Sequence, residues 1–352
     1  MIYLDFGNIT EHEVKVVSDY LRTGYVSTAA PVVAEFEKRF AEYIGVKNAV
    51  ATNSGTAALH LALKCSGIGP GDEVIIPATT FIATANAVSY TGAKPVIVDI
   101  DPDTWCIDYL AIEGAITKRT KAIIPVHLYG NPCDMSCWIP SIAKRHGLIV
   151  IEDCAESLGS QYPFGDNLAC YSFNGNKVMT TGGGGMVASN SNLDALRDYS
   201  TQAKDKGFKS DDFFDIGYNY RMTGLAAALG MAQLDRLDEL LKRKQEIHRI
   251  YVSELGDLVR FQKEHEGCKS SWWYTAIKAK KTAYNLFESL KAEGIPSRYV
   301  FKPLDRTQPY WVDNMISRNA TDLWRNGLCL PSSTLNADDD ILTVCKAIRR
   351  IL

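Results

Sequence analysis

The chain has 352 residues, 46% of them hydrophobic and 22% charged, and 38 Lys+Arg against 41 Asp+Glu leave a formal net charge of −3. Such proportions belong to a globular chain able to bury a sizeable core, long enough for two domains or one large domain with an appendage. They exclude a disordered chain and a basic nucleic-acid footprint, and no uncharged apolar run reaches the roughly 18 residues of a membrane span.

In chain order, Thr10-Glu11-His12-Glu13 has the pattern of a capping box opening a helix to about Arg22, with Gly24 as its stop. A second amphipathic helix covers 32–43. Short β-rich runs at 48–52, 73–77, 94–99, 121–125 and 148–152 then alternate with helical stretches at 56–65, 81–90, 110–116 and 135–146. This alternation predicts βαβ units with right-handed crossovers, hence a mostly parallel central sheet flanked by helices. Runs at 169–173 and 185–189 extend that sheet. A long helical pattern fills 223–255 with one break. Beyond it, strands are expected at 270–278 and 296–300, with helices at 283–292 and 337–351. The expected organisation is α/β, with a large domain over 1–250 and a smaller C-terminal α/β lobe over 251–352. No repeat or low-complexity segment interrupts it.

Nine scattered cysteines, an odd number, suit a reducing cytoplasm better than a disulfide framework, and the start lacks a charged-then-apolar secretory pattern. Cys133 and Cys137 form the one close pair, with no second Cys/His pair at metal spacing to complete a zinc site.

Ligands of open α/β sheets sit outside the carboxyl ends of strands, and three such ends carry unusual residues. Asn53-Ser54-Gly55-Thr56 leads from a strand straight into a helix, where N–H groups and the Thr56 hydroxyl would cradle a phosphate. A tight turn without ligand fits the same residues, and no Gly-Lys-Ser/Thr follows to make a P-loop. The apolar strand ending in Glu152-Asp153 buries an acid that must meet a cation or several donors. A metal, a helix start or a cationic ring nitrogen would each serve. Ser172-Phe173-Asn174-Gly175-Asn176-Lys177 precedes four glycines at 182–185, so the backbone there can approach a ligand closely. Lys177 would be a solvated surface group by default, or an amine reacting with a carbonyl if its pKa is lowered. The glycine run opens no G-x-G-x-x-G helix, which rules out a dinucleotide fingerprint. Anchored phosphate, an anion for a pyridine nitrogen and an amine together fit pyridoxal phosphate, with Asp153 holding the ring protonated as electron sink and Lys177 holding the aldehyde.

At these residues the sequence resembles the nucleotide-sugar aminotransferases of the DegT/StrS type, a branch of the fold-type-I pyridoxal phosphate enzymes. The similarity runs from Tyr25-Val26-Ser27 to Leu330-Pro331-Ser332. Ser54-Gly55-Thr56-Ala57-Ala58-Leu59 resembles the family's phosphate turn, and Pro77-Ala78-Thr79-Thr80-Phe81 the segment whose aromatic ring stacks on the cofactor. Glu152-Asp153-Cys154-Ala155-Glu156 is similar to the segment whose Asp holds the pyridine nitrogen, with Glu156 beside the phenolic oxygen. Ser172 matches a phosphate ligand, Lys177 the catalytic lysine, and Asn219, in Gly217-Tyr218-Asn219-Tyr220-Arg221, a residue that reaches the phosphate of the neighbouring subunit.

The resemblance implies a cytoplasmic homodimer with shared active sites. It implies transfer of the amino group of L-glutamate to a nucleotide-linked 4-keto-6-deoxy sugar, UDP- or GDP-linked ahead of dTDP-linked, for polysaccharide or glycan biosynthesis. Lys177 and Asp153 are the expected catalytic residues. Amination at carbon 3 and a non-catalytic cofactor-binding sensor are the alternatives, and a related sugar dehydratase would carry His in place of Lys177. His127 is expected to be structural, and Trp272-Trp273-Tyr274 to divide between core and lobe contact. Glu156 departs from the neutral or basic partner of many relatives, so it should share or hold a proton. Asp305 stands where His is common near the sugar, and Thr28-Ala29-Ala30-Pro31 lacks a frequent glycine.

Overall fold

The computed structural model describes residues 1–205, 212–313 and 317–352. The capping box forms at Thr10 and starts α1 (Glu11–Arg22), and Pro31 opens α2 (Pro31–Ile44). The alternating region follows as β1 (Asn48–Thr52), α3 (Gly55–Cys65), β2 (Glu73–Pro77), α4 (Ala83–Tyr90), β3 (Lys94–Val98), α5 (Tyr109–Ala115), β4 (Thr120–Ile123), α6 (Trp138–His146) and β5 (Ile149–Asp153). Next come β6 (Leu168–Ser172), β7 (Gly185–Ser189), α7 (Asp194–Tyr199), α8 (Gly224–Asp235) and α9 (Leu237–Leu255). The remainder holds β8 (Arg260–Phe261), β9 (Ala276–Lys278), α10 (Ala283–Ala292), β10 (Arg298–Tyr299), α11 (Arg318–Asn326), β11 (Gly327–Cys329) and α12 (Asp338–Ile351).

The large sheet has the order β1-β7-β6-β5-β4-β2-β3. Strands β2, β3, β4, β5 and β6 pair in parallel, whereas β7 is antiparallel to both β6 and β1. Only β7 therefore runs backwards. A parallel return would need a crossover, but the segment between β6 and β7 is an irregular loop carrying Lys177 and the glycines, so the chain turns back beside β6. The carboxyl ends of β1, β2, β5 and β6 thus share one edge. Core residues such as Phe36, Leu61, Val74, Ile151 and Val187 are fully or almost fully buried between this sheet and its helices.

The helix expected over 223–255 breaks once, at Arg236. That residue leaves helical geometry (ψ 3°) and its guanidinium donates to Glu13 at 2.9 Å. Leu237 and Leu240 of α9 join the large core, whereas Ile247, Tyr251 and Leu255 join a second one with Leu286, Leu328 and Ile348. The second core lies against an antiparallel sheet of order β10-β11-β9-β8. The strand expected over 270–278 shrinks to Ala276–Lys278, because 270–274 is irregular and Trp272 has φ 49°. The strand expected over 296–300 shrinks to Arg298–Tyr299, and α7, α11, β8 and β11 lie outside the sequence expectation. Among the described residues no helix is long and apolar enough to cross a membrane.

Candidate active site

A cavity of about 440 Å³ opens where the loops after β1, β2, β5 and β6 converge. At one corner Ser54 caps α3, its Oγ accepting the Ala57 N–H at 3.1 Å, and Gly55 and Thr56 of the helix's first turn line the cavity. A Cβ on Gly55 would lie 2.8 Å from Ser172 Cβ, so only glycine lets the helix start this close to the end of β6. Thr56, Ser172 and the helix N-terminus line one corner of the cavity, a grouping of donors that could hold an anion.

Asp153 is the last residue of β5. Its Oδ2 accepts from Thr84 Oγ1 at 2.7 Å and its Oδ1 from the Ala155 N–H at 3.1 Å. Burial pushes its carboxyl pKa up, and these two neutral donors, with the charge of Lys177, only partly offset that. A protonated pyridine nitrogen is the cationic partner such a carboxylate favours. Glu156 lies one turn further on. Its Oε2 accepts the N–H of Tyr129 at 2.8 Å and its Oε1 lies 3.9 Å from Lys177 Nζ. Burial raises its pKa to about 7 against the pull of Lys177, which fits a carboxyl that holds a proton.

Lys177 follows a turn in which its N–H donates to Asn174 O at 2.9 Å. Its amine pKa is pushed down by burial, opposed by Glu156, Asp153 and Asp5. That is the state a nucleophilic, proton-carrying amine requires. Phe81 is 53% exposed at the cavity wall, its ring 6.0 Å from that of Phe301, so it is not a core residue and its face is free to stack.

The structure therefore brings together Gly55, Thr56, Phe81, Asp153, Glu156, Ser172 and Lys177. It does not bring Asn219, which is exposed, lies outside this cavity and accepts from Asn53 Nδ2 through its carbonyl. Asp305 is buried against Ser317 Oγ and does not line the cavity either. His127 is structural: Nδ1 accepts the Cys133 N–H and Nε2 donates to Glu152, both at 2.9 Å. Glu152 also takes Asn167 Nδ2, and Cys154 pairs with the Tyr162 hydroxyl, so this buried His-Glu-Cys group is tied up in hydrogen bonds rather than poised for a metal.

The roles of three wall residues, Trp273, Arg298 and Phe301, escaped sequence reasoning, as did that of Thr84, which does not line the cavity but holds Asp153 from behind. Thr84 carries a usable signal, a polar residue in the first turn of a helix just after the expected stacking ring. Trp273 and Tyr274 are buried in the large core, and the Trp273 ring also lies beside Lys177, while Trp272 stacks on His248 at 3.6 Å. All nine cysteines are free thiols.

A mostly parallel sheet with a buried lysine, a strand-end aspartate and a glycine-opened helix start on its carboxyl edge is the arrangement of the fold-type-I class of pyridoxal phosphate-dependent aminotransferases. The chain is 42% identical to a GDP-perosamine synthase of Caulobacter vibrioides, covering 96% of this chain and 94% of that one. It is 39% identical to a GDP-perosamine synthase of Escherichia coli O157:H7, covering 97% and 96%. The Streptococcus pneumoniae protein Spr1654 in its PLP form superposes with a TM-score of 0.93 at 30% identity, covering 100% of this chain and 99% of that one. The model of the DegT/DnrJ/EryC1/StrS aminotransferase family matches residues 7–349, and the chain belongs to that family. It is an aminotransferase with pyridoxal phosphate as cofactor.

Proposed function

We propose that the enzyme moves the amino group of L-glutamate onto carbon 4 of a GDP-linked 4-keto-6-deoxy sugar, yielding a 4-amino-4,6-dideoxy sugar nucleotide for polysaccharide biosynthesis. The observation that carries the chemistry is the meeting of Lys177, Asp153 and Glu156 in one cavity beside the anion cradle. The names of the two GDP-perosamine synthases support GDP over the UDP- and dTDP-linked sugars.

Bound pyridoxal phosphate supplies the electron sink for the carbanion formed when the amino-bearing carbon loses its proton. Gly55, Thr56 and Ser172 would hold its phosphate, Phe81 would stack on the ring, and Asp153 would hold the ring nitrogen protonated. Glu156 keeps a proton at the phenolic oxygen and so avoids facing it as a second anion. Lys177 would hold the cofactor's aldehyde. The neutral Nζ of Lys177 would be the group that takes a proton from the donor carbon and returns one on the sugar side. One amine serving both halves implies ping-pong kinetics. Arg298, the other cation of the cavity wall among the described residues, suits the donor carboxylate.

The working unit is a homodimer in the cytoplasm, in which Asn219 of a second copy completes the cradle. The exposed rings of Phe213 and Phe214, with Ile216 beside them in sequence, support a covered surface near Asn219, and nine free thiols suit a reducing compartment. The test is to offer pyridoxamine-form enzyme GDP-, UDP- and dTDP-linked 4-keto-6-deoxy sugars and identify products by mass and NMR. Amination of the GDP sugar at carbon 4 is expected. Amination of another nucleotide sugar alone, or at carbon 3, overturns the assignment.

A further inference from the structure

We propose that Trp273 is a positioning residue that holds the Lys177 amine against one face of its indole, and that the N-terminal segment holds the indole in turn through Asp5. The inference rests on Lys177 being the amine that carries the cofactor.

Lys177 Nζ lies 3.7 Å from the centroid of the Trp273 ring. The indole Nε1–H donates to the carbonyl of Asn176 at 2.6 Å and to Asp5 Oδ2 at 2.8 Å. Asn176 directly precedes Lys177, so one side chain grips the lysine at its backbone and at its terminal nitrogen. Asp5 is anchored by Lys244 of α9 at 3.3 Å, and Lys244 also donates to Trp273 O at 2.9 Å and Ser332 O at 2.7 Å. Both charged side chains are almost fully buried, and such a pair persists only when each member is held from several sides. The backbone around the indole is equally constrained. Trp272 adopts φ 49°, a region bulky residues rarely enter, and any Cβ on Gly130 would lie 2.6–2.9 Å from Ser271 Oγ, Trp272 N and Trp273 N.

The free amine hangs on four rotatable bonds and alternates between neutral base and ammonium, and in each half-reaction it must wait at one place. Glu156 and Asp153 face it from β5 and the turn beyond, Asp5 from the N-terminal segment and Arg298 from β10. The three acids favour the ammonium, while Arg298 and burial oppose it. The indole face adds to the acids, because the negative face of an aromatic ring attracts a desolvated cation. It also leaves Nζ 3.9 Å from Glu156 Oε1, at the wall of the cavity.

The test uses the pyridoxamine-form holoenzyme, in which Lys177 is free. Acetylation by acetic anhydride is followed at position 177 by peptide mass spectrometry across pH, in wild type, Trp273→Phe and Trp273→Leu. Losing the ring should lower the labelling midpoint by about one pH unit, read as about tenfold faster labelling below it, with Phe in between. Asp5→Leu should lower the midpoint more than Asp5→Asn, because both remove the charge but only Asn keeps an acceptor for the indole N–H. A midpoint unchanged or raised in Trp273→Leu overturns the role of the ring, and equal effects of the two Asp5 variants overturn the role of the N-terminal segment. Borohydride reduction of wild-type holoenzyme separates the two levels. A cofactor adduct away from position 177 removes the reading of Lys177 itself, whereas an adduct at 177 with unmoved midpoints removes only that of Trp273.

Discussion

Replacing Glu156 by Gln removes a carboxyl whose pKa burial lifts from 4.5 to about 7. Between those values the folded protein binds a proton that the unfolded chain has released, so the wild type loses stability as pH rises through the interval. The slope is about 1.4 kcal/mol per pH unit, and the whole interval is worth about 3 kcal/mol. Glutamine does not titrate. The stability of Glu156→Gln minus that of wild type should therefore climb by about 3 kcal/mol between about pH 4.5 and about pH 7.5. Urea unfolding of the cofactor-free proteins, at one protein concentration and one ionic strength, measures that difference directly. Any fixed cost of the amide, such as a poorer contact with the Tyr129 N–H, offsets the curve without tilting it. A difference that stays flat across the range would refute the claim that the fold keeps Glu156 protonated. In the holoenzyme the same substitution should move the pH titration of the cofactor absorbance, since the proton shared with the phenolic oxygen is gone.

Lys177→Ala should lose at least about 10²–10⁴-fold in turnover while still binding cofactor noncovalently, and retained ping-pong turnover would contradict its role. Asp153→Asn should lower the pKa of the ring nitrogen by about 1–3 units, measurable by NMR on ¹⁵N-labelled cofactor, and an unshifted nitrogen would place its partner elsewhere. Gly55→Ala should weaken cofactor binding about tenfold or more, because a Cβ 2.8 Å from Ser172 Cβ forces the cradle open at a strain of about 1–3 kcal/mol. Equal affinity in an absorbance titration of the apoprotein would remove the helix start from the phosphate site.

Much of this protein is legible in short stretches of sequence. Helix α1 announces itself by its capping box, and the strand–helix alternation from 48 to 153 follows from local runs of apolar residues and their turns. Ser54-Gly55-Thr56 and the Asp153-to-Glu156 segment are contiguous motifs at strand ends, so their chemistry shows before their positions do. Short strands such as β8 and β11, two and three residues long, carry too little periodicity to be seen, and α11 is too polar to advertise its buried Ala320 and Leu323. The direction of β7 likewise depends on what the loop before it does in space. Above all, Asp5, Lys244 and Trp273 occupy three distant segments whose meeting leaves no local pattern. Local pattern thus determined the elements and the reacting groups. Packing alone decided what holds the lysine, because the cost of burying an unpaired charge is settled only when the segments close around one another.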